Sequence, residues 1–167
     1  MALKIDEIPR KDRKHFISGN KFIKITDSKD AMLQNEIKFL WEFGGQNGLP
    51  ELHTILQEND EESTRTFIIR DNIKGLTLYE AISKNPLDIW NFIEQLLSWM
   101  IFLEKHGYYQ SDLTTTNFIC DESGKIIPVD YGLMIHEPIS HRWPFNIRLN
   151  FIALLTLFLQ IKMVRFF

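Results

Sequence analysis

A chain of 167 residues that is 44% hydrophobic and carries 13 Phe can bury a core, which excludes an intrinsically disordered protein. Its formal net charge of −3 gives no overall attraction to nucleic acid or to an anionic membrane, so nucleic acid is not expected as a partner. The single cysteine, Cys120, allows no intrachain disulfide, which suits a reducing cytoplasm, and residues 1–9 lack the apolar run of a signal peptide.

Residues 3–8 alternate apolar and polar side chains, the period of a weak strand, and residues 9–14 read as a basic turn. Residues 15–17 and 21–25 flank Ser18-Gly19-Asn20 and predict a β-hairpin. Asp27 or Ser28 is the expected cap of a helix over 29–43, with Leu33, Ile37, Leu40 and Phe43 on its inner face and Gly44-Gly45 ending it. Residues 52–57 and 66–70 read as strands on either side of an acidic loop at 58–62, and Gly75 then breaks the chain. Thr77-Leu78-Tyr79-Glu80 reads as a capping box that opens a short helix, because threonine can bond the N–H three residues on while glutamate reaches back. Pro86 begins a long helix to about residue 105, with Trp90, Ile93, Leu97, Met100, Ile101 and Leu103 as its expected core stripe. Residues 118–120 and 125–129 form a second hairpin around 121–124, and residues 147–163 read as an apolar helix. The most apolar stretch there, 151–159, is too short to span a bilayer, which takes about 20 residues.

The chemistry-bearing residues cluster after the long helix. Asp112 lies five residues before Asn117, and Asp130, in Asp130-Tyr131-Gly132, follows thirteen residues after that. Three side chains able to accept a proton or ligate a hard cation are thus offered from two neighbouring loops. Phosphoryl transfer from a nucleotide needs such a set: a carboxylate for the proton of the attacking hydroxyl, and oxygen ligands for magnesium on the phosphates. Asp112 capping a turn and Asp130 ending a strand are the plain structural alternatives. Upstream, Glu36 lies three residues from Leu33 and four from Leu40, at the edge of an apolar face, where a carboxylate is costly to desolvate without a cation. Lys24 on the preceding strand answers that need, whereas Lys21 sits at the turn with the poorer parity. His15, His53, His106, His136 and His141 show no metal-ligand spacing and read as satisfied or surface side chains, and Cys120 reads as packed inside.

The element order, with Asp112-Leu113-x-x-x-Asn117 and Asp130-Tyr131-Gly132 in sequence, resembles the protein-kinase-like superfamily over residues 15–134. The resemblance implies an α+β, two-lobed fold: residues 1–74 as a small antiparallel-sheet N-lobe with one helix and a hinge at its end, and residues 75–167 as a shortened helical C-lobe. It implies ATP and Mg2+ as cofactors, with nucleotide between the lobes. It assigns Asp112 as catalytic base, Asn117 and Asp130 as metal ligands, Lys24 as the clamp on the α- and β-phosphates, and Glu36 as the residue that orients Lys24. Backbone groups of Asp71, Asn72 and Ile73 would then meet the adenine edge.

The sequence also departs from the family pattern. No Gly-x-Gly-x-x-Gly precedes Lys24, and the basic residues 11–14 fall where that phosphate-covering loop should be. Gln110-Ser111 replaces the usual His-Arg, which removes the partner of a phosphorylated activation loop. Thr114 stands in place of a lysine, and no Ala-Pro-Glu follows Gly132. These gaps point away from protein acceptors and toward a likeness to small bacterial sugar or lipopolysaccharide-core kinases. The expected reaction is transfer of the ATP γ-phosphoryl group to a hydroxyl of a sugar, glycan or other non-protein acceptor, in the cytoplasm or at the inner face of the membrane. A pseudokinase that binds nucleotide without turnover is one alternative, and a serine/threonine protein kinase is another. The apolar, weakly basic residues 162–167 allow either peripheral membrane contact or the end of a last core helix.

Overall fold

The computed structural model describes residues 6–10, 13–59, 64–84 and 89–136, together with Thr156 and Leu159. The chain divides into two compact units, Met1–Ile73 and Lys74–Phe167. Apart from Thr156 and Leu159, which are helical, the expected apolar helix at 147–163 lies outside the described residues, as do the tail 162–167, most of the acidic loop at 58–62, Lys11, Asp12 and Pro86. Among the described residues no helix is long and apolar enough to cross a membrane.

The first unit contains strands β1 (Asp6–Arg10), β2 (Arg13–Ser18), β3 (Lys21–Asp27), β4 (Leu52–Asn59) and β5 (Thr64–Asp71), with helix α1 (Ala31–Phe43) between β3 and β4. The five strands form one antiparallel sheet in the order β1-β2-β3-β5-β4. The β2–β3 hairpin turns at Gly19, whose φ of 61° is the left-handed conformation a glycine adopts without steric cost. Directly opposed residues share a face of an antiparallel pair. The register sets Phe22 opposite Arg70, Lys24 opposite Ile68 and Thr26 opposite Thr66. Lys24, Thr66, Ile68 and Arg70 are all buried, so one face of β3 and β5 looks inward and carries two cations with it.

Helix α1 starts later than its sequence suggests. Asp30 is its cap, with Oδ1 accepting from the Met32 N–H at 2.9 Å. Ser28 is diverted: its hydroxyl donates to the Thr64 carbonyl at 2.9 Å and bonds Thr66, which ties the loop to β5. Asp27 instead accepts from the Lys29 N–H. The buried face of α1 is Leu33, Glu36, Phe39, Leu40 and Phe43, with Ile37 half-buried. Glu36 therefore sits inside the apolar face rather than at its edge. Each buried Leu or Phe contributes about 1.5–3 kcal/mol, while an unpaired carboxylate among them would cost several.

The second unit contains β6 (Leu76–Thr77), α2 (Leu78–Lys84), α3 (Ile89–Lys105), β7 (Tyr108–Gln110), β8 (Phe118–Cys120), β9 (Ile126–Pro128) and β10 (Met134–His136). β6, β8 and β9 form one small sheet, and β7 pairs with β10. Gly75 holds φ at 150°, and a Cβ there would lie 2.3 Å from the Cys120 carbonyl oxygen, so only glycine lets β6 lie against β8. The capping box forms: Thr77 Oγ1 accepts from the Glu80 N–H at 3.2 Å, and Glu80 Oε2 accepts from the Thr77 N–H at 2.8 Å. The core joins Leu78 and Ile82 of α2, Phe92, Leu96 and Met100 of α3, and Leu113 and Phe118. The expected stripe on α3 is right in part: Met100 and Leu103 are buried and Ile93 half-buried, but Leu97 and Ile101 are exposed, and Phe92 and Leu96 face the core in their place. Asn91, Glu94, Ser98 and Lys105 recur at helical spacing on one exposed side of α3, and Ile101, three residues after Ser98 and seven after Glu94, lies on that polar side.

Candidate functional site

In the second unit the site grows out of two strand pairings. β7 pairs with β10, setting Gln110 opposite Met134, and the Ser111 N–H donates to the Leu133 carbonyl at 3.2 Å. The chain leaving β7 thus runs beside the chain entering β10. Between them, β8 and β9 pair with Phe118 opposite Pro128, and the Val129 N–H donates to the Asn117 carbonyl at 2.9 Å. That bond brings the backbone before β8 alongside the residue that precedes Asp130.

The turn between Asp112 and Asn117 is closed by its own backbone, Thr114 N–H to the Asp112 carbonyl and Asn117 N–H to the Thr114 carbonyl. The Asn117 Nδ2 donates to Asp112 twice, at 2.8 Å to Oδ2 and at 3.1 Å to the backbone carbonyl. With its nitrogen so engaged, Asn117 has Oδ1 as the side-chain atom it could offer a cation. Asp130 Oδ1 accepts from the Gly132 N–H at 3.1 Å, which fixes the carboxylate over the turn. Tyr131 is fully buried, and its hydroxyl donates to the Pro128 carbonyl. Asp112, Asn117 and Asp130 are each half-buried, so their oxygens are ordered yet reachable from solvent. The Asn117 amide oxygen and the Asp130 carboxylate are hard oxygen donors of the kind that suits magnesium.

Two glutamines that the sequence did not single out in this role hold these loops. Gln110 is 1% exposed; its Oε1 accepts from the Trp99 indole at 3.0 Å and its Nε2 donates to the Asp130 carbonyl at 3.1 Å. Gln95 of α3 donates to the Gly124 carbonyl at 3.0 Å and accepts from the Ile126 N–H at 2.8 Å, clamping the β8–β9 turn. Gln95 signals itself only as a polar residue among the apolar ones of α3, and Gln110, at the end of β7, only as the residue in place of the family's usual histidine.

In the first unit Lys24 Nζ donates to Glu36 Oε2, and both side chains are buried. Arg70, also buried, places Nε 3.8 Å from the other carboxylate oxygen, Oε1, and lays its guanidinium over the Phe22 ring, 4.3 Å from the centroid. Sequence reasoning missed Arg70. Its signal was a cation two residues from Ile68 on the inward side of an alternating strand.

Lys21 goes elsewhere. It bonds His53 and lies 3.3 Å from Asp71 Oδ1, while His53 Nε2 is 2.7 Å from the same oxygen. Partial burial would raise the Asp71 pKa, but hydrogen bonds from His53, the Glu51 N–H and Lys21 outweigh it and hold the carboxyl below its ordinary value. Glu51, His53 and Asp71 place a ligand atom each within 4.8 Å of one another, a grouping invisible in the sequence because strand pairing assembles it. The Lys21 ammonium already lies against His53 and Asp71 there. The Asp71 N–H donates to the Glu51 carbonyl and the Asn72 N–H to the Asn20 carbonyl. Among the described residues no backbone group takes the Ile73 N–H, so of the three expected adenine contacts Ile73 retains its donor.

No protein-family profile matches the chain. Among curated proteins it is similar to CBL-interacting serine/threonine-protein kinase 13 of Arabidopsis thaliana, 27% identical over 75 residues, 43% of this chain and 15% of that protein. It is also similar to NUAK family SNF1-like kinase 2 of Rattus norvegicus, 28% identical over 116 residues, 66% of this chain and 18% of that protein. Among solved structures it resembles WbdD with a TM-score of 0.72 at 16% identity, over 98% of this chain and 38% of that one. A second WbdD structure, described as a bifunctional kinase-methyltransferase, matches with a TM-score of 0.68 at 16% identity over 92% of this chain and 34% of that one. The chain thus spans less than a fifth of these curated relatives and less than two-fifths of these solved chains. With its antiparallel sheet and one helix in the first unit, and its helices and short strand pairs in the second, the chain has a protein-kinase-like α+β fold.

Proposed function

We propose that this protein is a phosphotransferase that moves the γ-phosphoryl group of ATP to a hydroxyl of a non-protein acceptor, a sugar or lipopolysaccharide-type glycan. The observation that carries the reading is the bracing of Asn117, whose side chain bonds Asp112 and whose carbonyl bonds the residue next to Asp130. These two bonds tie the Asp112 turn to the backbone that leads into Asp130.

Asp112 takes the proton of the acceptor hydroxyl. The freed oxygen forms a bond to the γ-phosphorus as the bond to the β,γ-bridging oxygen breaks, and ADP leaves. Asn117 Oδ1 and the Asp130 carboxylate would hold magnesium, which would supply positive charge against the nucleotide phosphates. Lys24, oriented by Glu36, pairs with the α- and β-phosphates. The choice of a non-protein acceptor rests on Gln110-Ser111 replacing His-Arg, on Thr114 replacing lysine, and on the lack of Ala-Pro-Glu after Gly132. A cytoplasmic setting follows from the single cysteine and from ATP as donor.

A second reading is a pseudokinase that binds nucleotide without turnover. It is favoured by one observation: residues 9–14, where the phosphate-covering loop is expected, hold no glycine to bring backbone N–H groups close to phosphates.

The test is to incubate the protein with magnesium and γ-labelled ATP and a panel of sugars, glycolipids and a generic polypeptide substrate. Label on a glycan supports the proposal, and label on the polypeptide alone shifts it to a serine/threonine protein kinase. Stabilisation by magnesium–ATP without transfer, about 2.7 kcal/mol at a hundredfold excess over Kd, selects the pseudokinase.

A further inference from the structure

Glu36 is shared between two strands. Lys24 of β3 donates to Oε2, and Arg70 of β5 approaches Oε1 at 3.8 Å, an ion pair without a hydrogen bond. Relative exposures of 5% for Lys24, 1% for Glu36 and 4% for Arg70 put the whole triad in the interior of the first unit. Among the described residues Oε1 accepts no hydrogen bond, so Arg70 is the cation that answers its charge. Arg70 is held in place from two further sides: its guanidinium lies over the Phe22 ring, and its Nη1 donates to the Asp71 carbonyl at 3.3 Å.

A buried carboxylate left without a cation is strongly destabilising. If Lys24 serves a phosphate, as the proposed function requires, its ammonium must turn part of its donor capacity away from Glu36. We propose that Arg70 is a positioning residue that keeps Glu36 neutralised while Lys24 is committed to phosphate, and so frees Lys24 to bind it. An arginine suits the task. It cannot lose its charge, and its planar head stacks on Phe22 and faces the carboxylate at once. Without it, Glu36 would hold Lys24 for itself.

The test uses magnesium–ATP as probe and needs no acceptor. Arg70→Met keeps most of the side-chain volume and removes the charge, while Lys24 remains to pair with Glu36. Its Kd for magnesium–ATP is expected to rise about tenfold, equivalent to 1.4 kcal/mol, in calorimetry on folded protein. Arg70→Lys restores the charge without the stacking and should recover part of the loss. Because Arg70 acts through Glu36, the same change made on Glu36→Gln protein should add nothing further. A solely structural role would lower the melting temperature of Arg70→Met and leave its Kd at the wild-type value, which would overturn the proposal.

A separate readout covers the case in which the wild-type protein binds no nucleotide. The 15N resonance of Lys24 Nζ should move in Arg70→Met, because Glu36 then pairs with Lys24 alone. Absence of nucleotide binding with that shift present rejects the phosphotransferase reading and keeps the positioning role. Nucleotide binding with neither a change in Kd nor a shift in the resonance does the reverse.

Discussion

The Asn117 amide spans Asp112, donating at 2.8 Å to its carboxylate and at 3.1 Å to its carbonyl. One side chain thus sets both the direction of the carboxylate and the pitch of the turn that carries it. Asp112 and Asn117 are therefore mechanically coupled, and their replacement should not have independent effects.

Asp112→Asn preserves an oxygen to accept from Asn117 and removes the proton acceptor. Nucleotide binding should stay within about twofold of wild type while transfer falls by a hundredfold or more. Equilibrium binding of magnesium–ATP alongside single-turnover transfer measures both. Full transfer activity in this variant would remove Asp112 from the mechanism.

Asp130→Asn likewise retains an oxygen for the Gly132 N–H, so the turn persists while one negative ligand is lost. Magnesium affinity in the presence of ATP should drop by roughly tenfold or more, since hard-cation sites respond to ligand charge. A magnesium titration at fixed ATP measures it, and the melting temperature without metal should hardly change.

Gln110→Leu fills the same space with an apolar group and cuts the bonds to the Trp99 indole and the Asp130 carbonyl. Two buried hydrogen bonds lost should destabilise the protein by about 2–3 kcal/mol in urea titration. The shift should appear in the midpoint with the slope unchanged.

Asp71 supplies the pH dependence. Its folded-state pKa lies below the ordinary value of 3.8, so its contribution is complete above that value and fades as pH falls through the lower, folded-state one. Asp71→Asn should be less stable than wild type at neutral pH, and the gap should close in strong acid. With 35% of its side chain exposed, solvent screening limits the difference to about 0.5 kcal/mol. A gap that widened on acidification would contradict the network of His53, Lys21 and the Glu51 N–H around it.

The features that local pattern specifies were legible. The β2–β3 turn at Ser18-Gly19-Asn20, the Thr77–Glu80 capping box and the β8–β9 hairpin each depend on a few neighbouring residues. The approach of Lys24 to Glu36 followed from strand parity and helix spacing. Arg70 did not, because its role depends on the register that sets Phe22 opposite it, and that pairing joins distant segments. The cap of α1 was ambiguous among closely spaced acceptors, and the tie from Ser28 to β5 decided it. On α3 the polar side of Asn91, Glu94, Ser98 and Lys105 already marks Ile101 as outward, so apolar character alone was a poor guide there, while β6, β7 and β10 are too short to show a period.

The β8–β9 ribbon acts as a ruler between Asn117 and Asp130. Its far end, clamped by Gln95, can absorb extra residues near Ser123, an exposed tip, without altering the measured gap. A one-residue slippage between the two rails would instead break the Val129 tether and rotate Asp130 to the opposite side. Natural length variation in this part of the chain should therefore accumulate at the tip and spare the rails.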